Sequence, residues 1–253
     1  MIVSKLYGGI GNQLYMYAFG LSQARRLNTE LKLDIDILLY NPFHYTPYNY
    51  ELGCFEGVAE EIIPTPTNLK LVEEIKLGNK KIEDSSLLDG YWQGEKMFES
   101  VKDELKQRLV FKQKSVALDK FEKINTVSIH ARRGDYMNGD YFFDLSSSDY
   151  YQKAVEYIRS KVENPMFFIF CSDEKWAREY FNFIPNKVMV TGGTVQSDLQ
   201  NMSLCKHNII ANSTYSWWGA WLNKNPNKIV IQPRKWVKGR DYETWALTGS
   251  VVL

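Results

Sequence analysis

Cysteine and histidine are scarce, with three of each among 253 residues (Cys54, Cys171, Cys205; His44, His130, His207). The thiols are widely spaced and no C-x-x-C pair occurs, which argues against a disulfide framework and a structural zinc site. A reducing compartment suits this usage. Long apolar runs are also missing. The longest, Met166 to Cys171, falls far short of the ~20 residues a membrane-crossing helix needs. The opening MIVSKLYGG lacks the basic-then-apolar plan of a signal peptide, so a cytoplasmic location is expected. Excess charge is absent too, since 31 Lys and Arg face 30 Asp and Glu. No global basic field is available to hold a nucleic acid, and an anionic ligand must be met by a local cluster of positive charge. Aromatic residues are plentiful (16 Tyr, 13 Phe, 7 Trp), but they fill cores as readily as they stack on sugars, so their number alone decides nothing. The balance of 44% hydrophobic and 24% charged residues is that of a globular protein and excludes a disordered, collagenous or coiled-coil chain.

Along the chain, Ile2–Tyr7 reads as a strand and runs into Gly8-Gly9-Ile10-Gly11. A helix follows from about Asn12 to Leu27, with Leu14, Tyr17, Ala18, Leu21, Ala24 and Leu27 on one face. Leu31–Ile37 alternates as a half-buried strand with Asp34 and Asp36 on its polar side. Residues 40–66 are rich in proline and tyrosine, an irregular stretch long enough to carry function. Thr67–Leu77 and Lys96–Leu109 read as helices around a strand at Leu87–Trp92. The lysine-rich Lys112–Lys123 marks a boundary. Beyond it, strands at Thr126–His130, Met166–Cys171, Val188–Thr191, Asn208–Ala211 and Ile229–Gln232 alternate with helices at Ser148–Lys161, Glu174–Phe181, Val195–Cys205 and Tyr215–Leu222. Such alternation predicts a parallel sheet with right-handed crossovers. The expected organisation is α/β: two Rossmann-like halves facing one another, at residues 1–111 and 124–240, with a tail at 241–253 that packs back on the first half.

Ligands of an open parallel sheet bind outside the carboxyl ends of its strands. The predicted ends in the second half carry His130-Ala131-Arg132-Arg133-Gly134-Asp135, Ser172-Asp173-Glu174, Gly192-Gly193-Thr194, Asn212-Ser213-Thr214-Tyr215-Ser216 and Pro233-Arg234. Two adjacent arginines can send one guanidinium to a ligand and the other into a structural pair. Guanidinium grips a phosphate through two parallel hydrogen bonds, and a diphosphate leaving group needs that charge as its bond breaks. A surface pair countered by Asp135 is the plain alternative. His130 reads as an orienting group rather than a proton carrier. Asn212, Ser213 and Thr214 precede a helix, so their hydroxyls suit both capping and anion contact. Trp217, Trp218 and Trp221 form first of all a core-facing stripe. The first-half turn matches half of a dinucleotide fingerprint, but Leu14 stands where the third glycine belongs. Asp34-Ile35-Asp36 has the form of a metal-holding pair, yet reads better as a solvated strand face.

Four ordered segments carry a resemblance: YGGIGNQLYMYAFG, SIHARRGDY, FIFCSDEKWARE and NMSLCKHNIIANSTYSWWGAWL. Together they span about residues 6–223 and resemble the bacterial α-1,2-fucosyltransferases of glycosyltransferase family 11. The resemblance implies a GT-B-type fold, GDP-β-L-fucose as donor, inverting transfer to the 2-hydroxyl of a galactose in a glycan acceptor, and no metal or other cofactor. It implies that Arg132 meets the donor diphosphate, with His130, Arg133 and Asp135 completing the motif, and that Asn12 and Gly11 face the donor from the first half. Asp173, Asn212, Ser213, Thr214 and Ser216 are further donor-side candidates. Tyr45, Tyr48 and Trp92 are candidates for the acceptor. Asp135 is the first choice of general base, ahead of Asp140 and Glu174, with a structural tie to the arginines as its equal alternative, and a late proton loss to water or phosphate would need no base. A soluble enzyme, loosely held at the membrane where glycans are built, is expected. The rival readings are another GDP-sugar transferase of different linkage, an NAD-dependent oxidoreductase, which Leu14 disfavours, and a non-catalytic glycan-binding protein, which leaves the arginine pair unexplained.

Overall fold

The computed structural model describes the whole chain except residues 41–47, 79–80, 116–123 and 135–140 and the side chains of 240–242. Tyr45, Asp135 and Asp140 therefore lie outside the described residues. The chain divides into two compact units, Met1–Gln113 and Lys114–Leu253, with the division inside the lysine-rich segment.

The first unit is built on a four-stranded parallel sheet in the order β2-β1-β4-β3, made of β1 (Ile2–Lys5), β2 (Leu31–Asp34), β3 (Lys70–Glu73) and β4 (Ser86–Asp89). Helix α1 (Ile10–Leu27) crosses from β1 to β2 and is buried on nearly all sides, including Leu14, Tyr17, Ala18, Leu21 and Ala24. It stops at Asn28, which takes the left-handed conformation (φ 51°) and returns its N–H to Ala24 and Arg25.

Three expected elements of this unit take other forms. The strand expected through Ile37 ends at Asp34, and Asp36 opens a short helix α2 (Asp36–Tyr40). Asp34 is fully buried rather than solvated. Its carboxylate accepts bonds from the Thr65 hydroxyl (2.8 Å) and the Asp36 N–H (3.0 Å), and Asp36 accepts from Thr65 N–H at 2.8 Å. The Asp-x-Asp thus pins the returning chain to the end of β2. The helix expected over Thr67–Leu77 is instead β3 followed by one turn, α3 (Glu74–Leu77). Pairing β3 with β4 from Lys70–Ser86 to Glu73–Asp89 satisfies more backbone than an exposed helix would. The Lys96 helix begins as a 3-10 stretch, Glu95–Val101, and becomes α4 (Lys102–Arg108) after Phe98 leaves helical geometry to reach the core.

The second unit carries a six-stranded parallel sheet in the order β12-β9-β8-β5-β6-β7. Its strands are β5 (Asn125–Ala131), β6 (Pro165–Cys171), β7 (Lys187–Val190), β8 (His207–Ile209), β9 (Val230–Gln232) and β12 (Val251–Val252). The connecting helices are α5 (Tyr150–Lys161), α6 (Glu174–Tyr180), α7 (Val195–Leu204) and α8 (Thr214–Leu222). The apolar run of β6 fits a central strand covered on both faces. Trp217 and Trp218 are fully buried, and Trp217 donates to the Trp245 carbonyl at 2.9 Å, so the tryptophan stripe is core. A small antiparallel ribbon, β10 (Lys235–Val237) and β11 (Arg240–Asp241), follows β9. The tail pairs within the second unit: β12 lies parallel to β9, and Gln232 accepts from Leu247 N–H and the Ser250 hydroxyl.

Candidate active site

The second sheet has a defined switch point. From β5 the chain builds outward through β6 and β7, then returns to the other side of β5 for β8, β9 and β12. The order reverses between β5 and β8, and the crevice beyond their carboxyl ends is where such sheets hold ligands. Pairing between these two strands stops at Ile129–Ile209, while β5 and β6 stay paired to Ala131–Cys171. The strands separate at the next residues, His130 and Ile210.

Two adjacent tyrosines at the start of α5 occupy that separation. Tyr151 donates its hydroxyl to the His130 carbonyl (3.0 Å), and Tyr150 donates to the Ile210 carbonyl (2.6 Å) and the Ile231 carbonyl (3.1 Å). Burial raises both phenol pKa values well above the ordinary tyrosine range, so both remain donors. The fork fixes both strand ends on the two sides of the crevice. Sequence reasoning missed it, because a Tyr-Tyr pair opening a helix says nothing about which carbonyls it will meet. Tyr151→Phe is expected to cost about 1–3 kcal/mol of stability by leaving a buried carbonyl unpaired. Denaturant unfolding of wild type and variant in parallel resolves this change.

Arg132 and Arg133 stand immediately past β5. Arg133 is held structurally. Its guanidinium lies 4.2 Å above the Trp176 ring and donates to the Ser146 hydroxyl at 3.3 Å, which in turn donates to Asp144 at 2.6 Å. Asp173 caps α6 by accepting the Trp176 N–H at 3.0 Å, which sets the ring beneath Arg133. Glu174 is ion-paired with Arg178 on the same helix. Arg132 is half-buried, and its charge reaches His130. The His130 ring is buried, edge-on to Tyr215 at 5.4 Å, and its Nδ1 has no partner among the described residues. Burial first, then the Arg132 charge, pushes its pKa down to about 3. The imidazole is therefore neutral near pH 7.

Across the switch point, Ser213 precedes α8 in extended geometry, and its side chain makes no capping bond to the helix. The N-terminus of α8, with its partial positive charge, thus stands beside Tyr215 and the end of β5. Thr214 is half-buried at this position. Asn212 and Ser216, expected to touch a donor, are turned inward. Asn212 spends both amide hydrogens on the carbonyls of Phe143 and Trp236, each at 2.8 Å, and Ser216 accepts the Ala211 N–H at 3.1 Å. Buried polar groups seek partners, and backbone loops supplied them here. Asn212→Ala should therefore destabilise the second unit by about 2–4 kcal/mol, since two buried carbonyls lose their donor. Tryptophan fluorescence during denaturation reads this directly, because every tryptophan but Trp92 belongs to that unit.

The first unit has its own carboxyl edge. Gly8 takes a left-handed φ of 70°, where a side chain would be strained. Gln13 clamps the turn, donating to the carbonyls of Gly8 (2.7 Å) and Asn49 (2.8 Å) and accepting the Glu51 N–H (3.0 Å). Gly11 is buried in the first turn of α1. Asn12 accepts from Gln93 at 3.1 Å. Tyr48 lies over the turn, 3.4 Å from where a Cβ on Gly9 would stand. Trp92, expected at the acceptor, is buried and stacked on Phe19 at 4.3 Å. Among the described residues, no cluster of three or more histidines, cysteines or carboxylates stands ready for a metal, and no helix is long and apolar enough to cross a membrane.

Comparison with solved structures places this architecture. The α-1,6-fucosyltransferase NodZ of Bradyrhizobium, crystallised with GDP, superposes with a TM-score of 0.55 at 12% identity, over 91% of this chain and 94% of that one. The shared fold is the α/β fold of the GT-B-type glycosyltransferases. The profile of glycosyl transferase family 11 matches residues 70–241. An α-1,2-colitosyltransferase of Escherichia coli is 30% identical over 97% of this chain and 95% of its own length. A bovine galactoside 2-α-L-fucosyltransferase is 30% identical over 38% of this chain and 28% of its own. The chain belongs to glycosyltransferase family 11.

Proposed function

We propose that the chain transfers L-fucose from GDP-β-L-fucose to the 2-hydroxyl of a galactose in a glycan acceptor, with inversion at the anomeric carbon. The observation that carries this reading is Arg132, set at the end of the central strand beside the switch point and the N-terminus of α8. A diphosphate there meets a guanidinium and a helix dipole, the two groups that favour charge growing on a leaving GDP. Arg133, occupied with Trp176 and Ser146, holds the strand end that carries Arg132. The sugar develops oxocarbenium character as its anomeric bond to the diphosphate oxygen breaks. The acceptor oxygen bonds that carbon from the opposite face, and its proton passes to a base, for which Asp135 is the first candidate. The family membership, the fucosyltransferases among the relatives and the GDP complex of NodZ support this donor class.

The full-length match to a colitosyltransferase favours one second reading, in which the donor sugar is colitose, which lacks the 3-hydroxyl of fucose. A GDP-release assay with GDP-fucose and GDP-colitose against a panel of galactosides, followed by linkage analysis of the product, separates the two. Release from GDP-fucose with a new α-1,2 bond is the expected result. No release from it with any acceptor would remove the proposal. Excess EDTA should leave the rate unchanged, because positive charge from the protein serves the diphosphate. Complete loss of activity would reopen a metal-dependent mechanism.

A further inference from the structure

The edge of the first sheet carries an aromatic platform that the sequence pattern concealed. After β4 the chain runs Asp89-Gly90-Tyr91-Trp92-Gln93, and two ring-bearing neighbours compete for the core. Trp92 takes it. It adopts a left-handed φ of 51°, unusual for a bulky residue, and stacks on Phe19. Glu74 holds the strained turn by accepting both the Tyr91 N–H (2.8 Å) and the Trp92 N–H (3.0 Å). Gly90 is required there, since a Cβ would stand 2.4 Å from the Glu74 side chain. The turn that buries Trp92 leaves Tyr91 44% exposed.

Tyr91 is held as well as exposed. Tyr7, at the end of β1 and one residue before the glycine turn, packs edge-on against it with ring centroids 5.1 Å apart. The Tyr7 phenol is bonded to Asp89, whose carboxylate also pairs with Lys5 at 3.0 Å. Tyr48, 38% exposed, lies over Gly9 on the same edge, and Gln93 brings an amide two residues from Tyr91. Exposed rings kept in fixed orientation, with carboxylate and amide groups at their margin, form the surface a pyranose favours. The C–H face of the sugar lies on the ring while its hydroxyls reach the polar groups. Galactose suits it because its axial 4-hydroxyl leaves the hydrogens on C3, C4 and C5 together on one face.

We infer that Tyr91, oriented by Tyr7 on the carboxyl edge that also carries Tyr48 and Gln93, is the stacking platform for the acceptor galactoside, in place of Trp92. This rests on the proposed galactoside acceptor and adds the residues that bind it. The test compares wild type with Tyr91→Ala and Tyr91→Trp in the GDP-release assay, with lactose and GDP-fucose varied in turn. Tyr91→Ala should raise the KM for lactose about tenfold or more and shift the KM for GDP-fucose less than twofold, and Tyr91→Trp should restore the lactose KM. Saturation-transfer NMR with lactose alone, which needs no donor, should show contact at galactose H3, H4 and H5 that Tyr91→Ala abolishes. An unchanged lactose KM in Tyr91→Ala, or equal rises in both KM values, would overturn the inference. If wild type releases no GDP from GDP-fucose, the proposed donor fails, while the NMR contact still decides the platform.

Discussion

Arg132→Ala should lower GDP release about 10³-fold while the second unit still unfolds cooperatively. The size follows from what the side chain is asked to supply. A single preorganised donor to a developing oxyanion is worth about 10²–10³ in rate, and an arginine placed on a phosphoryl group can exceed that. Stability should fall less than rate, because Arg132 is half-buried rather than core; Arg133 is half-buried too and lies on Trp176 and Ser146. Arg133→Ala should therefore cost stability as well as rate. Arg132→Lys is expected to recover only a small part of the lost rate, since an ammonium cannot make the two parallel bonds of a guanidinium. Steady-state kinetics beside thermal unfolding separate these outcomes, and near-native turnover in Arg132→Ala would contradict the assigned role.

Acid should weaken the second unit through its central strands. His130 on β5 titrates at about 3, and burial lowers the pKa of His207 on β8 as well. Both depart downward from the ordinary value near 6.5, so between that value and the depressed one the unfolded chain binds more protons than the folded one. Stability then rises with pH through the window. The contribution is fully present above pH 6.5 and is lost progressively as the pH falls toward 3. One proton is worth about 1.4 kcal/mol per pH unit there, so His130 alone reaches about 5 kcal/mol at the limit, a large part of ordinary domain stability. His207 adds a structural reason, because its Nδ1 accepts the Ile229 N–H at 3.0 Å and a protonated ring cannot. Denaturant unfolding followed by tryptophan fluorescence from pH 7.5 to 4 should show the falling midpoint, and His130→Gln should flatten it. A pH-independent midpoint in wild type would refute this account.

Much of the second unit was legible because its elements follow strong local rules. Strands such as Met166–Cys171 are continuous apolar runs bounded by polar turns, and each of the five expected strands was found within a residue or two of its span, while the short strands after Gln232 were not foreseen. The first unit was less legible where competition decided. Asp36 could continue a strand or open a helix, and the bonds to Thr65, a residue far along the chain, settled it. Lys70–Glu73 became a strand because β4 offered an edge to pair with.

The chain's own order of residues determined the α/β alternation, the arginine pair at a strand end and the glycine turn before α1, since propensity, period and turn chemistry act over a few neighbouring positions. Only the tertiary structure decided that Asn212 and Ser216 face inward, that Arg133 lies on Trp176, that two tyrosines brace the switch point, and that Tyr91 rather than Trp92 meets solvent. Each of those outcomes depends on which partner arrives from a distant part of the chain, and a buried polar group or a large ring takes whichever partner the packed fold brings within reach.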